Sequence, residues 1–597
     1  MPPQRLLLAF GLLLAVLVAA SRPQRVGDAR EYLAMGLNLA RLHSPALSPA
    51  DRSRIEAQFE ELHFTGLPLD FPQLRDARGR QDFFHFWFYS ALAVPGIWLT
   101  GFIAVHPNYA FAALNVALFL AALWVVSKRL AWCFSAAVFC SPVLWWLDKS
   151  HTEAFTFSLL AIAFALLREA PWWSLVCLGA AATQNPPIAA LLVGVGATAW
   201  LLRRGAWRDA RFWAGAFIAS AIALLHPLYY EWRWGLPTPQ LLQGTHARIP
   251  TLQEFGAVIW DPNIGLLVHA PLLVLTFLAA GITVGVRARP RLLEADVWLS
   301  AAGAGIFLLA FAQTTNFNNG ATPGMSRYVI WLIPLTIPIF QRATAVSVPP
   351  QRWFVLLSLA SSLWSIVAFQ PRLPENYCTP SRLAGVLWTR WPAIDNPLPE
   401  VFVERLWGGE LGLAPVGTPG CAKVLLIGGQ WPVPCPPQAT PPACGTPDAI
   451  CYANRTTSGY GFVRAPPPYG AAAFARQGAW VWNTATKPQV EQILQRVRWR
   501  DLRLVLPSAP GSMVRAAHEV SWTYGLQSDD ELLVYVSEPE QGASLTLRLP
   551  GTMVGSLVDP DTGNDIQPVR LDTSPWALTR LSLPPRTAIV VALRRLP

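Results

Sequence analysis

The chain has 597 residues, 53% of them apolar and only 14% charged, and its mean hydropathy is +0.33. Soluble domains carry about 25% charged residues, so this composition excludes a wholly soluble globular protein, and 27 Trp with 29 Phe exclude disorder over most of the length. The formal charge of +10 is spread along the chain, which is typical of the basic cytoplasmic loops of a polytopic membrane protein rather than of a nucleic-acid-binding surface.

Apolar runs separated by short polar or Pro/Gly stretches recur from Leu6 to about Phe369 and then stop. Several are shorter than the roughly 20 residues that cross a bilayer upright. The pattern predicts about eleven to thirteen membrane spans, the first of them a retained anchor rather than a cleaved signal. The candidate spans are Leu6–Ala20, Phe86–Val105, Ala110–Val126, Ala131–Leu147, Ala154–Leu167, Trp172–Thr183, Pro187–Leu202, Phe212–Tyr229, Ile264–Val286, Val297–Phe311, Tyr328–Phe340 and Trp353–Phe369.

Positive charge sorts the loops from Ala131 onward onto two sides of the membrane if each span crosses once. The basic groups on the inner side are Lys128–Arg129, Arg203/Arg204/Arg208/Arg211, Arg287/Arg289/Arg291 and Arg342–Arg352. The outer side receives Ser150–Glu153, Gln184–Pro186, Tyr230–Asn263, Gln313–Arg327 and everything after Gln370. The same counting would put the 21–85 loop inside, so either Phe86–Val105 is not a simple span, broken at Pro95–Gly96, or another N-terminal span is misassigned.

The character of the chain changes after Gln370. Residues 371–462 form a Pro- and Cys-rich connector, and residues 463–597 alternate apolar and polar positions as strands do. The predicted strands are Leu502–Leu506, Leu532–Val536, Leu545–Leu549 and Ala588–Leu593, with a turn at Asp559–Gly563. This pattern predicts a β-sandwich-like domain outside the cytoplasm, behind a multi-span domain at 1–370.

Cysteine usage agrees with that location. Cys133, Cys140 and Cys177 lie in apolar runs, where thiols behave as small hydrophobes. The other five lack paired CxxC spacing, so disulfides in an oxidising compartment are favoured over zinc, with one thiol left over. They are Cys378, Cys421, Cys435, Cys444 and Cys451.

The first candidate site residue is Asp28, which opens a helical pattern just after the first span. A carboxylate at the membrane surface can deprotonate an acceptor that attacks a sugar. Asp28 followed three residues later by Glu31 also resembles a capping box, and spacing alone favours this structural interpretation. The residues Tyr32, Met35 and Leu39 share one face of the predicted helix. A second helix is predicted over Asp51–Phe64.

Two further polar groups lie near predicted span ends. In Asp148–Glu153, His151 and Glu153 can shuttle a proton, bind a metal or contact a phosphate, or the loop is simply solvated. His85 precedes an aromatic run, where a neighbour of the interfacial aromatic belt is favoured over a substrate contact.

The loop Gln313–Tyr328 is the most unusual, because amides, hydroxyls and glycines lead to Arg327 at the mouth of a span. The planar guanidinium of Arg327 suits a pair of phosphate oxygens, although Arg at a span end is also a common interfacial anchor. Two other outer segments, Gln184–Pro187 and Asp261–Asn263, are more typical of turns.

These residues together resemble the GT-C superfamily of integral-membrane glycosyltransferases over roughly Leu6–Phe369. The closest likeness is to the RgtA/B/C/D-like branch, with a more distant similarity to protein O-mannosyltransferases and lipid A aminoarabinose transferases. The motifs are Gly27-Asp28 with Glu31-Tyr32 after the first span, the Phe88–Pro95 run, the Ser150–Glu153 loop and Gly320-x-x-x-Gly324-x-x-Arg327-Tyr328. Glu31 departs from the adjacent Asp-Glu pair of the mannosyltransferases.

The resemblance implies transfer of a sugar from a polyprenyl-phosphate donor to a lipid, glycan or protein acceptor on the non-cytoplasmic face, with inversion. It implies Asp28 as the catalytic acidic residue and Glu153 as a second one. Arg327 would contact the donor phosphate. The remaining candidates for substrate binding are Glu31, Tyr32, His85, His151 and Tyr328. The first loop, 21–85, would be external, which makes Phe86–Val105 the suspect span.

No cofactor is called for and no metal ligand is assigned, although metal dependence varies across the superfamily and a divalent ion stays an alternative. The expected partners are the lipid-linked donor, the acceptor and membrane lipids, without nucleic acid, and the expected location is a bacterial inner membrane. A flippase or transporter of lipid-linked saccharides would show inverted repeats, which are not evident. A ligase or polymerase acting on polyprenyl-linked saccharides shares the chemistry and stays open. A membrane-anchored binding protein would need few spans.

Overall fold

The computed structural model divides the chain into two compact units, Met1–Tyr377 and Cys378–Pro597. In the first unit it describes residues 3–21, 27–64, 69, 71, 74–202, 208–241, 250, 252–287, 294–314, 325–346, 356–357, 359–364 and 367. In the second it describes residues 381–390, 398, 401, 416–428, 449–456, 459–462, 470–474, 479–482, 492–493, 496–498, 503–505, 512–520, 522–537, 539–560, 562–586 and 588–596.

The described part of the first unit is helical. Its α-helices are α1 (Pro3–Ala19), α2 (Ala29–Ala40), α3 (Pro49–Glu61), α4 (Phe88–Phe102), α5 (Asn108–Ser127), α6 (Trp132–Phe139), α7 (Glu153–Leu166), α8 (Pro171–Gln184), α9 (Ala189–Leu202), α10 (Ala210–Trp234), α11 (Leu252–Trp260), α12 (Leu266–His269), α13 (Pro271–Arg287), α14 (Ala295–Ala312) and α15 (Ile337–Val346). Short 3₁₀ helices occupy Pro142–Trp146, Pro186–Ile188, Pro239–Leu241, Arg327–Leu332 and Pro334–Thr336. The second unit adds α16 (Arg382–Arg390).

Four segments of the described chain are long and apolar enough to cross a membrane: Asn108–Ser127, Ala210–Trp234, Ala295–Ala312 and Arg327–Val346. Shorter apolar helices run over Ala9–Ala19, Phe88–Phe102, Glu153–Leu166, Pro186–Leu201 and Pro271–Arg287. This is compatible with a membrane protein. About half of the predicted span Trp353–Phe369 lies outside the described residues.

Two predicted spans are not single helices, and each breaks before a proline. In Ala131–Leu147, α6 ends and Ser141 is extended (φ −115°, ψ 175°) before Pro142. In Ile264–Val286, Ala270 (φ −139°, ψ 55°) separates α12 from Pro271 at the start of α13. The proline ring disfavours the helical conformation of the residue before it, which explains both breaks.

Pro95, in contrast, does not break α4, which continues through it from Phe88 to Phe102. α4 packs along α2: the Trp98 indole N–H donates to the Ala40 carbonyl at 2.7 Å, and the Ser90 hydroxyl donates to the Tyr32 carbonyl at 2.8 Å. The expectation of a break at Pro95–Gly96 is therefore wrong. What is unusual about α4 is its partner, a helix of the 21–85 loop.

Two layers of charged residues lie at opposite ends of the same helices. At one end of α7 is Glu153; just beyond the other end Arg168 lies 2.8 Å from Asp296, which also pairs with Arg342. α7 has 14 residues, so these ends are about 21 Å apart. The chain from Arg327 to Arg342 likewise begins near Glu153 and ends at Asp296.

The predicted helix over Asp51–Phe64 is present as α3, which begins two residues earlier. The Ser48 side chain accepts the Asp51 N–H at 3.1 Å and donates to its carboxylate at 2.7 Å, so the helix start is capped. Ile55 and Phe59 are fully buried against the core of the unit.

The described strands of the second unit form three antiparallel sheets. The strands are β1 (Val416–Gly428), β2 (Ala449–Thr456), β3 (Gly459–Phe462), β4 (Gly470–Phe474), β5 (Ala479–Trp482), β6 (Arg503–Val505), β7 (Val514–His518), β8 (Trp522–Gln527), β9 (Glu531–Ser537), β10 (Ser544–Arg548), β11 (Met553–Val558), β12 (Asp565–Leu571), β13 (Leu578–Ser582) and β14 (Ala588–Arg595). The orders are β3-β2-β1-β4-β5, β13-β10-β7 and β12-β11-β14-β9-β8-β6. All four predicted strands are present, as β6, β9, β10 and β14.

The three-stranded and six-stranded sheets share one hydrophobic core, to which Leu545 and Leu547 contribute from β10 and Val534 from β9. Alternate residues of each strand enter it, as period-two patterning requires. The predicted turn at Asp559–Gly563 joins β11 to β12, with the Gly563 N–H donating to the Asp559 carbonyl at 2.8 Å and φ +74° at Gly563. The predicted β-rich character after residue 463 is confirmed.

Among the cysteines, Cys133, Cys140 and Cys177 are buried free thiols, as their apolar surroundings predict. Cys421 lies in β1 and Cys451 in β2, and these neighbouring strands pair in antiparallel register. Cys378, Cys435 and Cys444 lie outside the described residues, so the disulfide expectation stays a prediction.

Candidate functional site

The side chain of Asp28 does not cap the helix that it precedes. Asp28 is the N-cap residue of α2, but its side chain makes no cap hydrogen bond. Only its carbonyl accepts from the helix, from the N–H groups of Glu31 and Tyr32 at 3.0 and 3.3 Å. The capping interpretation of the Asp28 side chain is therefore wrong, and its carboxylate faces other elements of the fold.

His85 bridges two carboxylates of α2. Its Nδ1 lies 2.9 Å from Glu31 Oε2, and its Nε2 lies 3.2 Å from Asp28 Oδ2. The backbone here is held by α10, because the Tyr230 hydroxyl donates to the carbonyls of Phe83 and His85, at 2.8 and 3.1 Å. His85 thus belongs to the acidic cluster, and the interpretation as a mere neighbour of interfacial aromatics is wrong.

The segment 148–153 is buried rather than solvated, and amides of α5 hold it. Asn115 Nδ2 donates to the carbonyls of Trp146 and Lys149, at 3.3 and 2.8 Å, and Asn108 Nδ2 donates to that of Asp148 at 3.2 Å. This anchoring delivers His151 and Glu153, each with 1% of its side chain exposed, to the start of α7. His151 Nε2 lies 3.3 Å from Asp28 Oδ2.

Arg327 lies at the centre of the cluster. It begins the 3₁₀ helix Arg327–Leu332, and its Nη1 lies 2.6 Å from Asp28 Oδ2 and 2.8 Å from His151 Nε2. Its Nε is 3.7 Å from Glu153 Oε1, and Nη2 donates to the Tyr328 hydroxyl at 3.2 Å. One guanidinium therefore contacts groups from three separate parts of the chain.

These contacts assign the protonation of His151. Nη1 of Arg327 carries two hydrogens, so it donates one to Asp28 and one to His151 Nε2, which must accept. Nδ1 then carries the ring hydrogen and donates to Glu153 Oε2, which it contacts closely. The Thr152 N–H at 3.1 Å from Nδ1 would require the other tautomer, but the guanidinium at Nε2 can only donate, which decides between the two. Glu153 thereby orients His151, as carboxylates orient catalytic imidazoles.

Aromatic rings frame the cluster. The ring of Tyr32 lies 5.3 Å from that of His85 and 5.8 Å from that of His151, and its hydroxyl is 3.5 Å from Thr152 Oγ1. Burial, followed by the charge of Asp28, raises the pKa of Tyr32 well above its usual value of 10.0. Tyr32 is therefore a neutral hydrogen-bonding group and not a base.

The charges of the cluster are interdependent. Burial alone would raise the pKa of Asp28, but the neighbouring positive charges of His85 and Arg327 hold it well below the usual 3.8. Burial likewise opposes protonation of His85, but Asp28 and Glu31 overcome it and raise its pKa from 6.5 to about 9. At neutral pH Asp28 is a carboxylate and His85 an imidazolium.

Asp28, Glu31 and His85 also have the donor types of a divalent metal site, with one ligand atom each within 4.8 Å of one another. Carboxylate oxygen and imidazole nitrogen suit several divalent ions. The guanidinium of Arg327, 2.6 Å from Asp28, already neutralises one of these ligands, and His85 contacts a carboxylate through each ring nitrogen. A metal would have to displace the Asp28–Arg327 pair and the His85 proton.

All eight residues singled out from the sequence meet in this one network. They are Asp28, Glu31, Tyr32, His85, His151, Glu153, Arg327 and Tyr328. Residues 315–324, which include Gly320 and Gly324, lie outside the described residues. Asp261–Asn263 is a turn as predicted, because Asp261 Oδ1 accepts from the N–H groups of Asn263 and Ile264 at 2.7 and 3.0 Å.

Sequence reasoning missed the supports of the site, Asn115 and Tyr89. Asn115 is fully buried within α5, and its Oδ1 accepts from the Tyr89 hydroxyl at 3.0 Å. The signal was available, because an amide inside an apolar span is a candidate functional position by default.

A cleft of the described chain lies away from these residues. A space of about 780 Å³ between α8, α9 and α10 is lined by apolar side chains such as Leu175, Trp200 and Trp213 and by none of the eight residues.

No protein-family model, curated protein or solved structure matches this chain, so the chemistry has to be inferred from the residues of the site. A carboxylate, an oriented imidazole and a guanidinium side by side can take a proton and hold an anion.

Proposed function

We propose that this chain is a polytopic membrane glycosyltransferase of GT-C type. It transfers a sugar from a polyprenyl-phosphate donor to a lipid, glycan or protein acceptor on the non-cytoplasmic face of the membrane. The observation that carries the proposal is the meeting of Asp28, the His151–Glu153 pair and Arg327 at one end of apolar helices. A lipid-borne donor lies in the bilayer, and its phosphate is presented at that level.

The two charged layers support the orientation. Arg327 is the one guanidinium that the eight residues of the site contain, whereas the opposite ends of α5, α7 and α15 carry Arg129, Arg168 and Arg342, each paired with an acidic residue. Lys and Arg, counted without Asp and Glu, are in excess on the cytoplasmic side of membrane proteins. This distribution supports an orientation with the site on the non-cytoplasmic side.

The contacts of α4 support counting it as a helix that does not cross the membrane. Near its start the Ser90 hydroxyl donates to the Tyr32 carbonyl, and near its end Trp98 donates to the Ala40 carbonyl. Beyond its end the His106 ring lies 5.5 Å from that of Phe64. α4 thus packs along the 21–85 loop over its whole length, and we infer that it lies on the same side of the membrane as this loop, with apolar residues exposed.

Those exposed residues of α4 are Leu92, Trp98, Leu99 and Phe102, followed by Ile103. With α4 counted as non-crossing, α1 and α5 place both the 21–107 segment and Ser150–Glu153 outside. An aromatic and aliphatic face without charge is suited to the boundary of headgroups and acyl chains.

The reaction is a displacement at the anomeric carbon. The acceptor hydroxyl or amine attacks that carbon from the face opposite the phosphate, and its proton passes to Asp28. The bond between the anomeric carbon and the phosphate oxygen breaks, and this oxygen keeps the electron pair. Polyprenyl phosphate leaves with a charge that Arg327 stabilises, more in the transition state than in the donor. The configuration at the anomeric carbon inverts.

The test is transfer of label from a panel of polyprenyl-phosphate monosaccharides by purified protein and its Asp28→Asn variant. We expect transfer by the wild type and a loss of at least about a hundredfold in the variant, since general-base catalysis contributes about that much or more. Equal transfer by both moves the base to the His151–Glu153 pair. Absence of transfer from every donor, together with flipping of a lipid-linked saccharide, would replace the proposal with a flippase.

A further inference from the structure

In this structure a single nitrogen of Arg327 occupies both basic atoms of the site. Nη1 lies 2.6 Å from Asp28 Oδ2 and 2.8 Å from His151 Nε2, so one carboxylate oxygen and the imidazole lone pair are already hydrogen-bonded to the guanidinium. The same ion pair contributes to the lowered pKa of Asp28, which makes the whole carboxylate, including its second oxygen, a poorer proton acceptor. While Arg327 holds this position, Asp28 is a weak base toward an acceptor that arrives first.

The guanidinium has hydrogen-bonding capacity left for an anion. Among the described residues, Arg327 Nε has no hydrogen-bond partner although it is buried, and Glu153 Oε1 at 3.7 Å is too far to accept from it. Nε and Nη2 form one edge of the planar fork, and this edge matches two oxygens of a phosphate. An anion on that edge would compete with Asp28 for the same cation.

We propose that binding of the donor phosphate to Arg327 breaks the contacts of its guanidinium with Asp28 and His151, so that Asp28 becomes an effective base only when the donor is bound. This inference rests on the proposed glycosyl transfer and deepens it. Charge drives the exchange: a phosphate bound by two hydrogen bonds on the Nε–Nη2 edge draws the guanidinium towards itself and away from the single carboxylate oxygen that Nη1 contacts. His85 keeps Asp28 in place during the exchange, because its other ring nitrogen is anchored on Glu31 at 2.9 Å.

The exchange imposes an order on the substrates. The donor binds first, and Asp28 then loses its contact with Arg327 and becomes a stronger base. Asp28 can then accept the proton of the acceptor group. In the donor-free site, Asp28 is paired with Arg327 and does not deprotonate water or a misplaced hydroxyl. After transfer, the polyprenyl phosphate product carries one more negative charge than the donor and holds Arg327 more tightly, so product release restores the Asp28–Arg327 pair.

The experiment measures the affinity of a short-chain prenyl monophosphate for the full-length protein in detergent. Four proteins are compared: wild type, Asp28→Asn, Glu31→Gln and Arg327→Gln. Because the competing carboxylate is gone, Asp28→Asn should bind the phosphate about tenfold more tightly, and Arg327→Gln should lose binding. Glu31→Gln is the matched control, since it removes the same charge from the same cluster, and Glu31 pairs with His85 whereas Asp28 pairs with Arg327.

Equal tightening by Asp28→Asn and Glu31→Gln would mean a general effect of charge and would overturn the exchange. So would unchanged or weaker binding by Asp28→Asn, or no binding by any of the four proteins. If the Asn variant does not fold, Asp28→Ala makes the same comparison. Affinity is read without turnover, so a chain that binds the phosphate in this pattern but transfers no sugar would refute the glycosyl transfer and leave the exchange standing.

Discussion

The imidazolium of His85 makes the stability of this protein sensitive to alkaline pH. His85 bridges Asp28 and Glu31, at 3.2 and 2.9 Å, and its pKa is raised from 6.5 to about 9. A group whose pKa is raised in the folded protein contributes stability that is fully present below its unfolded pKa. That stability is lost as the pH rises through the folded pKa. The loss should therefore run from about pH 6.5 to about pH 9.

The size of the effect follows from the two pKa values. The difference between 9 and 6.5, at about 1.36 kcal/mol for each pH unit, corresponds to about 3 kcal/mol in full. At pH 7 a small part of this is already absent, because the unfolded histidine is mostly neutral, so about 2.5 kcal/mol should disappear between pH 7 and pH 10. The side chain is only 21% exposed, so solvent screening reduces this figure little.

Thermal unfolding in detergent, followed by tryptophan fluorescence from pH 7 to pH 10, measures this loss. His85→Gln should remove this loss, and in Glu31→Gln the loss should be smaller and should end at a lower pH. His43→Gln is the matched control, since His43 also contacts a carboxylate, Asp51 at 2.9 Å, but is 48% exposed. If His85→Gln loses as much thermal stability between pH 7 and pH 10 as the wild type, His85 does not form the charged bridge between Asp28 and Glu31.

Three further predictions test the reaction, the outer helix and the packing. Asp28→Asn should abolish sugar transfer while the protein stays folded, and unchanged activity in a label-transfer assay would contradict Asp28 as the base. In a background without other cysteines, Val105→Cys should react with an impermeant maleimide added to the outer side, whereas Lys128→Cys should react only after permeabilisation; the reverse pattern would mean that α4 crosses. Gly179→Ala should destabilise by about 1–3 kcal/mol, because its Cβ would meet the Ala219 backbone at 2.5 Å, whereas Gly196→Ala, in open space, should leave the melting temperature unchanged.

The members of the site could be proposed one by one from the sequence, but not their pairing. Asp28 and Arg327 each had a structural alternative, an N-cap and an interfacial anchor, that local spacing could not exclude. The decision depended on a contact between residues 299 positions apart. His85 shows the limit most clearly, since an imidazole before aromatic residues becomes a bridge only when α2 and α10 position it.

The sequence by itself determined the apolar runs, the grouping of basic residues between them and the strand pattern after residue 463, and its prolines account for the breaks before Pro142 and Pro271 that the structure revealed. Each depends on a property of one segment, such as transfer free energy, side-chain period or the restriction before proline. Only the tertiary structure decided that α4, apolar enough to suggest a span, packs on a helix of the outer loop, and that one guanidinium joins Asp28 to His151. These depend on which distant segments pack together, and no local pattern encodes the neighbour that a buried charge will find.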